Sequence, residues 1–421
     1  MIKEISAMNE KINRKRFDLH NYEGKLQKTM KNVQKADFLS DDVKNKFIEW
    51  KDSQTRNDLK TPSICKNIEK AYTVFRQFLP KKAVKDYTKK DIERAVTKIM
   101  EGKYADYTKA LYKIILKLFF KFAGRTELIE GIKTNVKKSR FKLPEELLSE
   151  QDILAIIDKC ENYRDRALIA LLYETGCRIG ELSGIQLKDL EFHDGEATVT
   201  LQGKTGMRKV LLLFCVPYLK KFLEIRSEWN KKESKPLDKE AYLFLGQGTK
   251  NKGAPLTYQA IRTQLKRIMK RAKLNKPCNP HHFRHSRASY LANHLTESQL
   301  CTVMGWELGS DMPRVYIHLS GRDINNSLRQ LYGGKTKEVK ESLLKTKKCE
   351  ICLEINEPDT EVCSKCGNPL SVLGAVKRSE ELKVKEKQLN VIVELVNKVG
   401  DLEKMLNQLT AKQAKEILEK Y

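Results

Sequence analysis

Between Ser40 and Gly124 the apolar residues return every three or four positions, and that spacing restricts the stretch to helices packed on one another. In "LSDDVKNKFIEW" Ser40 is placed to cap a helix, acids fill the first turn, and Val43, Phe47, Ile48 and Trp50 mark the buried face. "TPSICKNIEKAYTVFRQFL" begins with Thr61 as cap and Pro62 in the first turn, and Ile64, Ile68, Tyr72, Phe75 and Leu79 follow at helical steps. "TKKDIERAVTKIM" and "YADYTKALYKIILKLFFKFAG" supply a third and a fourth helix, so residues 37–125 are expected to form an all-helical unit. Ahead of it, residues 1–36 alternate charge with sparse apolar positions and read as a basic arm. Behind it, residues 126–143 carry five basic residues after Ile132 and no sustained period, which reads as a basic linker.

The pattern then changes. Ser149 caps a helix with Asp152 at its third position, and "YRDRALIALLYETG" is apolar enough for the centre of a core. "FHDGEATVTLQGKTGMRKVLLL" alternates apolar and polar residues around Asp194-Gly195 and again around Gly203 to Gly206, the mark of a small antiparallel sheet with two turns. Helices resume at "YQAIRTQLKRIMKRAKL" and continue to about Tyr332. The expected fold class is therefore mainly α with a small antiparallel β-sheet, residues 144–333 forming an α+β unit. A charged connector leads to a cysteine cluster within 345–372 and then to one long helix over 375–421. There Ile392, Leu395, Val399, Leu402, Leu406 and Leu409 step by three and four in alternation, the seam of a coiled coil, with docking on its own protein as the alternative.

A chain of 421 residues exceeds one core, in keeping with several units. No run of about 18 apolar residues exists, and "MIKEISAMNEKINRKRF" is charged where a signal peptide is apolar, so a cytoplasmic protein without a membrane span is expected. Net charge is +26; residues 1–143 hold 35 Lys and Arg against 18 acids, and residues 251–300 hold ten basic side chains and one acid, Glu297. Such an excess repels itself unless a polyanion shares the surface, which points to nucleic acid. A lysine-rich solvated surface is the plainer explanation for the N-terminal half alone.

Cys65, Cys160, Cys177, Cys215, Cys278 and Cys301 are scattered among apolar neighbours and read as packed thiols. Cys349, Cys352, Cys363 and Cys366 instead follow the spacing Cys-x2-Cys-x10-Cys-x2-Cys. Two such knuckles give a closed tetrahedral thiolate cage, so a structural zinc ribbon is expected, ahead of a rubredoxin-like iron site or a disulfide-linked loop. A module of about 25 residues does not fold without its metal.

Asn279 and Pro280 open a helix on which His281, Arg284 and His285 share one face at the positive end. An arginine between two histidines repels a cation and suits a phosphate, with an unspecific basic helix as the alternative. Arg178 has Glu181 one turn later to orient it, a pair that on its own reads as structural. Together two arginines can neutralise both non-bridging oxygens of a phosphodiester.

The order "GCRIGEL", "QGKTGMRK", "HHFRHSRAS", "MGWELGSDMPRVYIHLSG" resembles the catalytic domain of tyrosine recombinases, the phage-type integrases, and the overall layout is similar to archaeal virus- or plasmid-type integrases. The resemblance spans residues 37–333 in layout and is specific between 175 and 320. It implies a site-specific DNA recombinase with Arg178 and Arg284 as catalytic arginines, Glu181 as the accompanying acid, Lys204 as the hairpin lysine and His281 as the first residue of H-x-x-R. It further implies His285 in support, Trp306 at a position held more often by histidine, and Tyr316 as nucleophile. Attack by Tyr316 leaves a 3′-phosphotyrosyl link and a 5′-hydroxyl, with Lys204 as general acid. The link stores the bond energy, so neither ATP nor a catalytic metal is required. Trp306 donates a hydrogen bond but cannot shuttle a proton. The partners implied are double-stranded DNA, held between residues 37–125 and 144–333, and further protomers, four on paired sites, with "INNSLRQLYG" packing on a neighbour. A type IB topoisomerase, which relaxes supercoils without site preference, and a non-catalytic DNA-binding protein are the alternatives. Read alone, Lys204 is a turn lysine and Trp306 a core residue, and Tyr290 and Tyr332 rival Tyr316; the joint order carries the inference.

Overall fold

A computed structural model describes residues 19–134, 146–203, 206–232, 238–246, 253–277, 279–320, 331–333 and 342–418. Contacts divide the chain into two units, Met1–Pro144 with Leu245–Ile261, and Glu145–Phe244 with Arg262–Tyr421. The architecture is mainly helical with small antiparallel sheets.

In the first unit, α1 (Tyr22–Lys35), α2 (Asp41–Arg56), α3 (Thr61–Phe78), α4 (Lys89–Glu101) and α5 (Asp106–Phe122) share one core. Ser40 caps α2 through a bond from the Val43 amide. Val43, Phe47 and Trp50 are buried, and Phe47, Phe75 and Phe119 meet ring to ring. Ile48 lies only half-buried. The cap of α3 is Lys60 rather than Thr61, and it makes no side-chain capping bond; Pro62 in the first turn needs no amide partner, which lets the helix start without one. Within the expected arm, Leu26, Met30 and Val33 fall on one face of α1, so sparse apolar residues suffice to bring it into the core. Within the expected linker, a short turn at Thr126–Ile129 buries Leu128 and Ile129, and Arg125 donates to the carbonyls of Val84, Lys85 and Tyr87.

The second unit is built around α7 (Tyr163–Thr175), whose residues from Ala167 onward are all buried. It packs against α6 (Glu150–Asp158), capped by Ser149 with Asp152, against α9 (Val216–Lys232) and against α11 (Pro280–Leu291). The short α8 (Ile179–Ser183) follows α7, and α10 (Tyr258–Arg271) precedes α11. Strands β1 (Leu190–Phe192), β2 (Ala197–Gly203) and β3 (Gly206–Leu212) form the antiparallel sheet in that order, with Val199 opposite Val210 and Gly203 opposite Gly206. The buried Glu174 carboxylate accepts from the amides of Leu213, Phe214 and Cys215, pinning the end of α7 to the start of α9. Helices α12 (Glu297–Met304) and α13 (Met312–Ser320) complete the unit's core. A two-stranded sheet, β4 (Lys347–Lys348) with β5 (Ile355–Asn356), belongs to the cysteine cluster, and α14 (Val372–Leu418) ends the description. Cys65, Cys160, Cys177, Cys215 and Cys301 are buried cysteines outside any disulfide, whereas Cys278 and most of "INNSLRQLYG" lie outside the described residues. Among the described residues no helix is long and apolar enough to cross a membrane.

Candidate active site

The chain leaves α7 through Gly176 in the left-handed region, φ 54°, and turns at once into α8. Arg178 therefore stands at the N-cap of α8, one turn from Glu181. Its Nη1 donates to Glu181 Oε1 at 2.9 Å and its backbone amide to Oε2 at 2.9 Å. The same Oε2 accepts from Arg208 Nη2 at 2.8 Å. Glu181 is buried, yet these donors hold its carboxyl below the usual range against the pull of desolvation.

Arg284 comes from α11, which Asn279 caps by accepting from the His282 amide at 3.0 Å. Its guanidinium is buried and donates to the Gly176 carbonyl at 2.8 Å and the Met304 carbonyl at 2.6 Å. Burial, with Arg178 beside it, brings its pKa down to about 10, so it stays charged at neutral pH. Arg178 Nη2 reaches the Gly305 carbonyl at 3.3 Å and Arg208 Nε the Val303 carbonyl at 2.9 Å. Three arginines from three segments thus each take one of three successive carbonyls, 303, 304 and 305, at the C-terminal end of α12. Those carbonyls have no intrahelical partner and form the negative end of the helix, so they stand where an anion would. Gly305 makes the approach possible: its φ is 60°, and a Cβ there would lie 2.6 Å from Arg208 Nη1.

Trp306 follows directly. The Arg284 guanidinium lies 5.4 Å from its ring centre on one side, and the Tyr316 ring stacks on it at 5.2 Å and 15°. The ten-residue spacing from Trp306 to Tyr316 thus brings the two rings together, Tyr316 being carried on α13. Tyr316 is buried, and burial raises its pKa to about 12 although Arg284 pulls the other way. A phenol with that pKa is protonated at neutral pH, and its hydroxyl shares a hydrogen bond with His285 Nδ1, 2.6 Å away, in a direction set by the imidazole tautomer. His281 lies one turn earlier, ring centroid 5.4 Å from that of His285. Of the rivals, Tyr332 is 80 % exposed, and Tyr290 packs by Arg287 and His294. Lys204 lies outside the described residues, between the paired Gly203 and Gly206.

Arg178, Glu181, Arg284, His285, Trp306 and Tyr316 are brought together, with His281 beside them. Arg208 was not foreseen. Its signal was parity: Arg208, Val210 and Leu212 alternate on β3, and the last two are buried, so the arginine points to the same side.

Residues 146–322 match the model of the phage integrase family. Over 251 residues the chain is 28 % identical to tyrosine recombinase XerC of Treponema denticola, covering 56 % of this chain and 81 % of that one. These matches make the chain a tyrosine-type recombinase, similar over residues 146–322 to the phage integrase family. The recombinase is also 27 % identical to tyrosine recombinase XerA of Pyrococcus furiosus, over 64 % of its own length and 92 % of the relative's. Its fold is similar to that of a lambda integrase dimer bound to a COC′ core site, with a TM-score of 0.50, 19 % identity and coverage of 66 % and 78 % of the two chains.

The recombinase carries its four cysteines in a single cluster, all sulfurs within 4.8 Å of one another. Cys349 and Cys366 sulfurs are 3.6 Å apart, as are those of Cys352 and Cys363. Tetrahedral thiolates about 2.3 Å from a zinc ion stand at nearly this separation, so the donor set fits the metal. The two knuckles are built alike. The amides of Leu353 and Gly367, both at positive φ, bond back to the carbonyls of Cys349 and Cys363, whose own amides bond to Glu354 and Asn368. The cluster rests on the catalytic unit: Glu354 is 3.5 Å from Lys220 on α9, Glu357 is 4.0 Å from Arg166 on α7, and Glu150 accepts from Ser342 and the Leu343 amide.

Proposed function

We propose that this recombinase cuts DNA by attack of Tyr316 Oη on a phosphodiester held by Arg178 and Arg284. The P–Oη bond forms as the P–O5′ bond breaks, leaving a 3′-phosphotyrosyl link and a 5′-hydroxyl; reversal by a 5′-hydroxyl of another strand rejoins the DNA. The reading is supported above all by the convergence of both arginines on the end of α12, with Trp306 in contact with both Arg284 and Tyr316. Each guanidinium has N–H groups beyond those bonded to carbonyls, and these can take the non-bridging oxygens. A phosphate among them stabilises phenolate character as it develops.

The phenol proton passes to His285 Nδ1, its present partner. Lys204 supplies the proton to O5′, and His281 binds the phosphate or accepts a proton. Glu181 orients Arg178, and Trp306 positions Tyr316 by stacking. The Tyr316→Phe variant is expected to bind DNA as the wild type does and to form no covalent adduct on a nicked substrate. Adducts persisting in that variant would show that another residue is the nucleophile.

The DNA is double-stranded, bound by basic residues of 37–125 and of 144–333. Two duplexes present four strands and each cut needs its own tyrosine, so four protomers act on paired sites. The dimer of the related lambda integrase on its core site supports shared occupancy of one duplex. Cys349, Cys352, Cys363 and Cys366 hold a structural zinc ion, which would supply a rigid closed cage with no open coordination position.

A further inference from the structure

The long helix α14 runs for 47 residues, about 70 Å at 1.5 Å per residue, and from Ile392 to Leu406 it keeps an apolar stripe in water. Ile392, Leu395, Val399, Leu402 and Leu406 are 55–65 % exposed. An apolar stripe of this length is not how a helix is left alone in solution. The stripe advances by three and four in alternation, the 3.5-residue period that two helices share when they wrap around each other.

The residue types decide the arrangement. With Ile392 at position a of a heptad, the a positions are Ile392, Val399 and Leu406, and the d positions are Leu395, Leu402 and, in the sequence, Leu409. β-Branched residues at a with leucine at d favour two parallel strands. Flanking charge agrees. Lys398 falls at g and Glu403 at the following e, the two positions that face each other across a parallel, in-register pair. An antiparallel pair sets g against g and e against e. The g positions 391, 398, 405 and 412 are Val, Lys, Met and Lys, and the e positions 396, 403 and 410 are Val, Glu and Thr, so no opposite charge would meet Lys398 or Glu403.

We propose that α14 pairs in parallel with α14 of a second copy of this chain, joining two recombinase protomers independently of DNA. The base of the helix is fixed, since the cysteine cluster just before it is held on α7 and α9 by Glu357 with Arg166 and by Glu354 with Lys220. A parallel pair therefore brings both catalytic units to the same end of one rod. It raises the concentration of the second protomer at any site the first one occupies. The pairing does not rest on the chemistry proposed for Tyr316.

The test uses the full chain without DNA, in sedimentation and native mass spectrometry at micromolar concentration. The wild type is expected to be a dimer and Leu402→Glu a monomer that still forms the covalent adduct on a nicked substrate, which shows that its catalytic unit is folded. Lys398→Glu and Glu403→Lys are each expected to weaken the dimer, because each sets like charges opposite one another twice. Mixed together, they are expected to form heterodimers in several-fold excess over chance, since both cross-pairs are then complementary. A monomeric wild type, or a Leu402→Glu variant that remains dimeric, would overturn the pairing. A purely statistical mixture would overturn the parallel register.

Discussion

Replacing Glu181 by glutamine tests the electrostatic logic of the site. The carboxylate side chain is 3 % exposed and sits between Arg178 and Arg208, whose own side chain is 8 % exposed. Glutamine has nearly the same shape, but it removes the charge and turns one of the two acceptor oxygens into a donor. That donor must face an arginine N–H or the Arg178 amide N–H, neither of which can accept a hydrogen bond. Breaking a buried pair by removing one partner costs about 3–5 kcal/mol. Here the remainder is three guanidiniums grouped at the end of α12, one of them, Arg284, already lowered to about 10 partly by Arg178. For a unit of this size each kcal/mol moves Tm by roughly 2–4 °C, so the second unit is expected to melt about 6–20 °C earlier. A tetrahedral oxyanion should restore part of the loss, because it returns negative charge to the same guanidiniums. The measurement is calorimetry of the full chain in chloride and in sulfate at matched ionic strength. Sulfate is expected to raise Tm more in the variant than in the wild type. A Tm unchanged by the substitution, or equal sulfate gains in both proteins, would refute the reasoning.

The remaining expectations follow from the same contacts. Arg208→Ala is expected to slow single-turnover cleavage about 100-fold, the scale of a 1 Å misplacement of Arg178, at unchanged DNA affinity; a normal cleavage rate would remove Arg208 from the site. Because Tyr316 has its folded pKa raised to about 12, above the unfolded value near 10, the fold favours the neutral phenol. Its contribution to stability is complete below pH 10 and fades as pH rises towards 12, and difference absorbance against Tyr316→Phe should show no phenolate signal from it below about pH 11. Glu181 has the opposite sign: its folded pKa is lowered, so its contribution is present above the unfolded value near 4.3 and is lost on further acidification, a loss that Glu181→Gln should not show. A chelator, or Cys363→Ser, should release bound zinc and raise hydrogen exchange across 347–370 while α7 stays protected; unaltered exchange would deny the metal a structural role.

What the sequence disclosed was whatever local chemistry imposes. Ser40, Ser149 and Asn279 cap helices because their side chains satisfy amides three residues on, and the Gly195 and Gly203–Gly206 turns set the sheet register. The candidate site was legible through resemblance, since nothing local to Arg178 or Arg284 says that both end on consecutive carbonyls of one helix, 127 residues from the first and 20 from the second. Arg208 escaped because its partner Glu181 was already matched to Arg178, and only burial of β3 shows that one carboxylate serves two arginines. The helix α1 escaped for the reverse reason: Leu26, Met30 and Val33 are too few to signal a core by themselves and are buried only because neighbouring helices meet them.

The carbonyls at the end of α12 bear on how the site handles charge. Without an anion, three guanidiniums within one site repel one another, and the cost is offset by Glu181 and by the negative end of the helix. Neither satisfies every N–H group, since an arginine carries five donors in a fixed fork. A phosphodiester therefore meets arginines already held in place, and little ordering remains to oppose its binding. The same burial that fixes them keeps Tyr316 protonated, so its hydroxyl does not act as a free nucleophile. On the chemistry proposed for Tyr316, reactivity then depends on the phosphate itself, whose arrival draws the guanidinium charge towards the reacting oxygens beside His285. In the proposed reaction, binding and activation of the tyrosine are in this way one event, and Tyr316 stays inert until DNA is in the site.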